Sequence, residues 1–211
     1  MTTSSPVAFT IVLALVGAGA ASQGRPSRPS LLNPATVAEQ APPVFRARFE
    51  NTRDTFVIEV HRDWAPKGAD RFYSLVKSGF YDGCYFFRVL PYFMVQFGIS
   101  GDPRVQAAWR TATIADDPVK VGNKSGTVVF AMTGPDTRTT QVFINYRDNL
   151  LLDAQGFAPF GTVIQGMRAV GELESRYGDR PSQRRIEQEG NAYLTREFPG
   201  LSMVTHATIE R

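Results

Sequence analysis

The sequence predicts a mainly β domain that carries a small number of helices. Apolar and polar residues alternate in short stretches, as at 45–49 and 56–60, and this period of two is typical of half-buried strands. Glycine, proline and asparagine separate these stretches, and few segments have helical periodicity. With 211 residues and 43% apolar content, the chain can bury one substantial core.

The predicted elements follow in order along the chain. A β-hairpin comes first and turns at 51–54. A helix then begins at Pro66, which suits a first helical turn, and ends at Gly79. Further strands are predicted at 85–98, 127–132, 142–145, 160–165 and 203–209, with a second helix at 167–177, a short one near 105–109 and a charge-rich, solvated one within 180–200. This number of strands is consistent with a barrel, although number alone does not establish closure.

The N-terminal segment predicts export. Residues 1–22 contain no charged side chain, and an apolar run at 7–20 ends in small residues, which is typical of a secretory signal peptide. Because no Lys or Arg precedes the run, an uncleaved membrane anchor remains an alternative interpretation of this segment. Residues 23–43 are rich in Pro, Ser and Ala and predict a mobile linker. We therefore expect a periplasmic or secreted protein whose folded domain spans 44–211.

Charge and cysteine content exclude several classes of function. The net charge of +3 comes from scattered Lys and Arg without a basic run, so nucleic acid is not an expected partner. Cys84 is the sole cysteine, which rules out an internal disulfide. His61 and His206 lie far apart in sequence, and no cluster has the spacing of metal ligands. We expect neither a metal nor a cofactor.

The stretch 85–98, YFFRVLPYFMVQFG, places one cation among aromatic residues. In a regular strand Phe86, Arg88 and Leu90 would share one face, with Phe87 and Val89 on the other. Taken alone, this strand is explained equally well by an arginine that points into solvent and covers apolar surface with its stem.

Three blocks give this stretch a context: FYDGCYFFRVLPYFMVQFG at 80–98, GTVVFAMTGPDTRTTQVFIN at 126–145 and LLDAQGFAPFGTVIQGM at 151–167. In this order they resemble the cyclophilins, a family of peptidyl-prolyl cis/trans isomerases, and the resemblance covers about 45–171 and 203–209. It implies a closed eight-stranded antiparallel β-barrel capped by two helices. It also implies a cofactor-free isomerase, expected to be an exported bacterial monomer, that acts on proline-containing polypeptides.

The resemblance also implies roles for individual residues. Arg88 matches the family's catalytic arginine, Gln96 the glutamine that orients it, and Phe93 a wall of the proline pocket. The remaining matches are substrate-binding positions: Met94, Phe143 and Leu152 in the proline pocket, Ala131, Met132 and Gln141 along the groove, and Leu151 and Phe157 at the pocket rim.

Four positions depart from the pattern of many members. Phe87 replaces a histidine, Met132 an asparagine, Leu151 the tryptophan of cyclosporin-sensitive members, and Phe157 a pocket histidine. These departures predict weak inhibition by cyclosporin. Two alternatives to an isomerase remain open: a proline-peptide-binding chaperone module with little catalytic role, and a barrel that stores an apolar ligand in a hollow interior.

Overall fold

The computed structural model describes residues 1–2 and 31–210. Residues 3–22 of the predicted signal peptide and residues 23–30 of the predicted linker lie outside the described residues. Eight strands and five α-helices are present in the described part: β1 (Val44–Asn51), β2 (Thr55–His61), α1 (Pro66–Ser78), β3 (Arg88–Leu90), β4 (Met94–Phe97), α2 (Pro103–Trp109), β5 (Thr127–Phe130), β6 (Val142–Asn145), β7 (Pro159–Gln165), α3 (Met167–Gly171), α4 (Gln183–Glu189), α5 (Asn191–Glu197) and β8 (Val204–Ile209). Two 3₁₀ helices span Pro34–Thr36 and Leu150–Gln155. No helix among the described residues is long and apolar enough to cross a membrane.

The eight strands form one antiparallel sheet in the order β3-β4-β6-β5-β7-β2-β1-β8. The predicted closed barrel is wrong, because the sheet is an open, curled half-barrel whose edge strands β3 and β8 share no ladder. The segment just before β3 and the start of β8 are connected by one isolated bridge, Tyr85 to Met203, and by three backbone bonds. The Phe86 N–H donates to the Ser202 carbonyl (2.9 Å), the Val204 N–H to the Cys84 carbonyl (2.8 Å) and the Gly83 N–H to the Val204 carbonyl (2.8 Å). β3 forms its ladder with β4, and its other edge bonds a loop instead of β8: the Val89 N–H donates to the Gly178 carbonyl (3.1 Å).

Phenylalanine rings fill the interior of the curl. β1 alternates exposed and buried residues along its length, so one of its faces lies entirely in the core. The rings of Phe49, Phe56 and Phe97 are fully buried there, and Phe49 stacks on Phe56 with centroids 5.2 Å apart. A core packed in this way contradicts the hollow barrel that a ligand-storing protein would need.

Helix α1 packs over the sheet as predicted, and its own residues Phe72 and Leu75 are fully buried on the face that meets the sheet. Its end at Gly79 has a local cause: this residue takes φ 76°, and its N–H bonds the carbonyls of Leu75 and Val76. The second predicted helix, at 167–177, is shorter in the structure, since α3 ends at Gly171.

Residues 31–43 differ from the mobile linker that their composition predicts. The indole of Trp109 in α2 donates to the carbonyl of Leu31 (2.9 Å), and the Ala41 N–H donates to the Asp70 carboxylate in α1 (2.8 Å). Ala41 itself is buried. This segment therefore packs on α1 and α2 through hydrogen bonds and contacts that a pattern of Pro, Ser and Ala does not reveal.

The charge-rich segment before β8 folds into α4 and α5. Its outer face is charged as predicted, with Arg185 bridging Glu189 and Glu197 at 2.7 Å each. Its inner face is apolar, and it buries a cluster against the sheet that comprises Phe87, Ile99, Ile186, Tyr193, Leu194, Phe198 and Leu201. We call these residues the insertion cluster. They make the segment part of the folded core rather than a helix that only rests on the surface.

Candidate active site

Strand pairing brings the candidate site together at the β3 edge of the sheet. Arg88 lies opposite Gln96 in the β3–β4 ladder, and Gln96 lies opposite Phe143 in the β4–β6 ladder. The alternation predicted for 86–90 is confirmed only over 88–90, where the ladder lies: Arg88 and Leu90 are on the side of the site and Val89 is in the main core. It is wrong for the two residues before the ladder, because Phe86 also enters the main core and Phe87 enters the insertion cluster. The irregular backbone before β3 leaves Arg88 free to face the site.

A short chain of hydrogen bonds holds the polar side of the site. The Arg88 guanidinium donates to Gln96 Oε1 (3.4 Å), and Gln96 Nε2 donates to Gln141 Oε1 (2.9 Å). Gln96 is buried, which fixes its amide between the two partners. Among residues 31–210, no carboxylate forms an ion pair with Arg88. Most of the guanidinium N–H donors therefore remain available to a ligand.

An apolar pocket adjoins this chain of polar groups. Phe143 and Met94 form its buried floor, and Phe93, Leu152 and Phe157 pack against them from the side. The Phe143 and Phe157 rings meet edge to face, with centroids 5.8 Å apart. The pocket is therefore lined by large, flat groups and accepts a small apolar ring.

The pocket and a more polar groove form one cavity of about 250 Å³. The groove side is lined by Ala131, Met132, Thr133, Thr137, Thr139, Gln141 and Gln183. The three threonines and Gln183 were not among the predicted site residues. Gln183 comes from α4, and no sequence signal connected that inserted helix to the groove.

All but one of the predicted site residues line this cavity: Arg88, Phe93, Met94, Gln96, Ala131, Met132, Gln141, Phe143, Leu152 and Phe157. Leu151 does not, because its side chain is 83% exposed at the start of the 3₁₀ helix that carries Leu152. The functional roles assigned to these residues remain predictions, whereas their placement in one cavity is a structural result.

The cavity offers binding and polarisation rather than acid–base or nucleophilic chemistry. Among the described residues that line the cavity, Arg88 is the one ionisable side chain. Within the described parts of the chain, no three His, Cys, Asp or Glu side chains lie close enough to hold a metal ion. Cys84 is fully buried away from the cavity, and burial raises the pKa of its thiol.

Fold and site together define a class of protein: a curled antiparallel sheet with a peptide-sized groove, in which a cationic donor stands beside an apolar pocket. The family model for the cyclophilin type peptidyl-prolyl cis-trans isomerase/CLD matches residues 46–190. The chain belongs to this cyclophilin family.

Curated relatives agree with this assignment. A peptidyl-prolyl cis-trans isomerase of Acinetobacter baylyi is 38% identical over 122 residues, covering 55% of this chain and 64% of the relative. Peptidyl-prolyl cis-trans isomerase A of Dickeya dadantii is 37% identical over 114 residues, covering 52% and 60%. Peptidyl-prolyl cis-trans isomerase ppi1 of Schizosaccharomyces pombe is 32% identical, covering 59% and 84%. The match thus spans somewhat less than two thirds of the two bacterial relatives.

Solved structures support the fold. A cyclophilin type peptidyl-prolyl cis-trans isomerase of Cryptosporidium parvum superposes with a TM-score of 0.61 at 17% identity, covering 80% of this chain and 98% of that one. A second structure of that protein, obtained in the presence of the dipeptide Ala-Pro, gives a TM-score of 0.59 at 19% identity.

Proposed function

We propose that the chain is a peptidyl-prolyl cis/trans isomerase that accelerates rotation about X-Pro bonds in polypeptides. One observation carries the proposal: the Arg88 guanidinium, without a carboxylate partner in the described residues, stands at the border of an apolar pocket suited to a proline ring. The similar protein obtained in the presence of Ala-Pro supports the same class of substrate.

The proposed reaction requires only that the enzyme stabilise its transition state. Rotation about an X-Pro bond crosses a barrier of ~18–20 kcal/mol because it sacrifices amide resonance. Uncatalysed exchange takes tens to hundreds of seconds, so reaching milliseconds needs about five decades, or ~7 kcal/mol. No covalent intermediate, metal or proton transfer is required for this.

Arg88 is the proposed source of the largest single contribution. In the twisted amide the proline nitrogen becomes pyramidal and regains a lone pair, which accepts a hydrogen bond that the planar amide cannot accept. A fixed, charged donor at this point contributes about 2–4 kcal/mol. Gln96 holds the guanidinium in place and is itself held by Gln141, so the donor needs little reorganisation during the reaction.

The apolar walls supply a second contribution. Rotation lowers the dipole of the amide, so a pocket that excludes water disfavours the planar ground state relative to the twisted state. Phe93, Met94, Phe143, Leu152 and Phe157 are the groups that would surround the proline ring. They also hold that ring still while the residue before it rotates.

We further propose that the substrates are exported proteins and that the enzyme works outside the cytoplasm. The support is the apolar run at 7–20 with small residues after it. Cell fractionation of the full chain, with N-terminal sequencing of the recovered protein, tests both export and cleavage after about residue 22. Recovery in the cytoplasm with residue 1 intact would overturn this part of the proposal.

A peptide-binding chaperone module is the alternative, and substoichiometric turnover distinguishes the two. The full chain is added at a small fraction of the concentration of an Ala-Pro peptide, and cis/trans exchange is followed by NMR. An isomerase accelerates exchange of the whole peptide pool, because each molecule turns over many times. A module that only binds leaves the exchange rate of the unbound peptide unchanged, and that result would refute the proposal.

A further inference from the structure

A continuous chain of asparagine amides lies behind the proline pocket. Asn149 Nδ2 donates to Asn145 Oδ1 (2.7 Å), and Asn145 Nδ2 donates to Asn123 Oδ1 (3.1 Å) and to Thr127 Oγ1 (2.9 Å). Asn123 and Asn145 are completely buried. A buried amide without hydrogen-bond partners costs stability. In this chain of three linked amides, both N–H donors of each asparagine side chain have a partner.

The two ends of the chain bind the backbone of two residues that line the pocket, Phe93 and Phe157. Asn149 Nδ2 donates its other hydrogen to the carbonyl of Phe93 (2.9 Å). Asn123 Nδ2 donates to the carbonyl of Phe157 (2.8 Å) and to the Asp153 carboxylate (2.7 Å). Phe93 lies in the β3–β4 turn and Phe157 lies in the connection to β7, so these amides join two segments that are distant in sequence.

The Phe93 turn needs such a restraint. Tyr92, just before it, has φ 65°, a left-handed conformation that costs a residue other than glycine about 1–2 kcal/mol. Its side chain is 85% exposed, so few side-chain contacts compensate for the strain. The Phe93 carbonyl accepts from the Tyr146 N–H (2.9 Å) as well as from Asn149, and these two bonds anchor the turn to the end of β6.

We propose that Asn123, Asn145 and Asn149 are positioning residues that set the separation of the Phe93 and Phe157 walls and so the fit of the proline ring. The inference deepens the proposed isomerase function and rests on it for the identity of the ligand. None of these asparagines lines the cavity, so they act on the substrate only through the two phenylalanines.

Asn149 gives the test because it is only partly buried and stands at the end of the chain. Asn149→Ala removes one of the two bonds that anchor the Phe93 carbonyl, and we expect KM for an Ala-Pro peptide and the peptide Kd to rise about tenfold, with kcat nearly unchanged. This is the signature of lost binding that is common to the ground state and the transition state. Asn149→Asp replaces the donor with an oxygen facing the Phe93 carbonyl, and we expect an increase at least as large.

Asn191→Ala is the matched control. Asn191 is also partly buried and donates one amide bond to a backbone carbonyl, that of Gly83 (3.0 Å), but it lies outside the cavity lining. Asn149→Ala also leaves the buried Asn145 Oδ1 unpaired, so we expect it to lower the urea midpoint by more than Asn191→Ala. With Kd and KM measured per folded molecule, we expect only Asn149→Ala to raise them. Should Asn149→Ala fold poorly, Asn149→Ser, which keeps a donor, is expected to give a smaller rise in Kd.

Equal Kd values for Asn149→Ala, Asn191→Ala and the unchanged chain would overturn the positioning role. The peptide Kd is measured by titration and needs no turnover. A chain that binds the peptide without accelerating exchange would therefore refute the isomerase function, yet the comparison of Kd values would still decide the role of the asparagines.

Discussion

Substitution of Phe87 is predicted to lower the stability of the fold while leaving the isomerase activity largely unchanged. Many cyclophilins have histidine at this position, directly before the catalytic arginine. In this chain the ring is only 1% exposed, and it lies in the insertion cluster with Ile186, Tyr193, Leu194 and Phe198. Phe87→His therefore restores a common family residue in a place that α4 and α5 have made apolar.

The expected cost follows from burial. Removing a buried phenylalanine forfeits about 1.5–3 kcal/mol of transfer free energy. A buried imidazole without a hydrogen-bond partner costs about 1–3 kcal/mol more. We expect Phe87→His to lower the free energy of unfolding by about 2.5–6 kcal/mol, a large part of the ~5–15 kcal/mol typical of a domain. Phe87→Leu keeps the position apolar and is expected to cost about 1–1.5 kcal/mol.

Urea unfolding measures the stability of both variants, and kcat/KM on an Ala-Pro peptide measures activity per folded molecule. Activity should be largely retained, because Phe87 lies outside the cavity lining and Arg88 is still paired with Gln96. If Phe87→His unfolds within about 0.5 kcal/mol of the unchanged chain, the ring does not anchor the inserted helices.

Three further predictions concern the site and its surroundings. Cys84 should resist alkylation in the native chain and react in urea, with isomerase activity unaffected by the alkylating reagent or by EDTA; loss of activity with EDTA would contradict a metal-free mechanism. Cyclosporin should inhibit weakly, and Leu151→Trp should strengthen its binding free energy by about 1–2 kcal/mol, measured as a lower Kd by titration. An unchanged Kd would mean that Leu151 does not occupy the position of the family's rim tryptophan. Since Arg88 is the one ionisable side chain among the cavity-lining residues that the structure describes, kcat/KM should be nearly flat between about pH 6 and 8, and a bell-shaped profile would point to a titrating group in the reaction.

Local patterns in the sequence predicted most of the strands and both ends of α1. The alternation in β1 and the Pro66 and Gly79 boundaries each depend on neighbouring residues, so a single sequence contains the necessary signal. Whether the sheet closes depends on whether β3 and β8, over a hundred residues apart, form a ladder. The packing of 31–43 on Trp109 is likewise a long-range contact, and its composition carries no period to reveal it.

The candidate site followed from family blocks rather than from physical patterns. Arg88 alone was ambiguous on its strand, and the three blocks together selected it. Gln183 escaped prediction because it belongs to an insertion without a counterpart in those blocks. Asn149 was not predicted because a polar residue near a turn normally indicates a solvated loop, whereas here its side-chain amide donates to the Phe93 carbonyl behind the pocket.

The measurement that bears most directly on the central claim is kcat/KM, with peptide Kd beside it, for the unchanged chain, Arg88→Ala and Arg88→Lys. If Arg88 stabilises the twisted amide, Arg88→Ala should lower kcat/KM by about two to three decades, matching ~2–4 kcal/mol, while the fold stays intact. Arg88→Lys should recover little, because an ammonium cannot reproduce the planar fork that reaches both Gln96 and the substrate. An Arg88→Ala variant that isomerises as fast as the unchanged chain would contradict the catalytic role of this arginine.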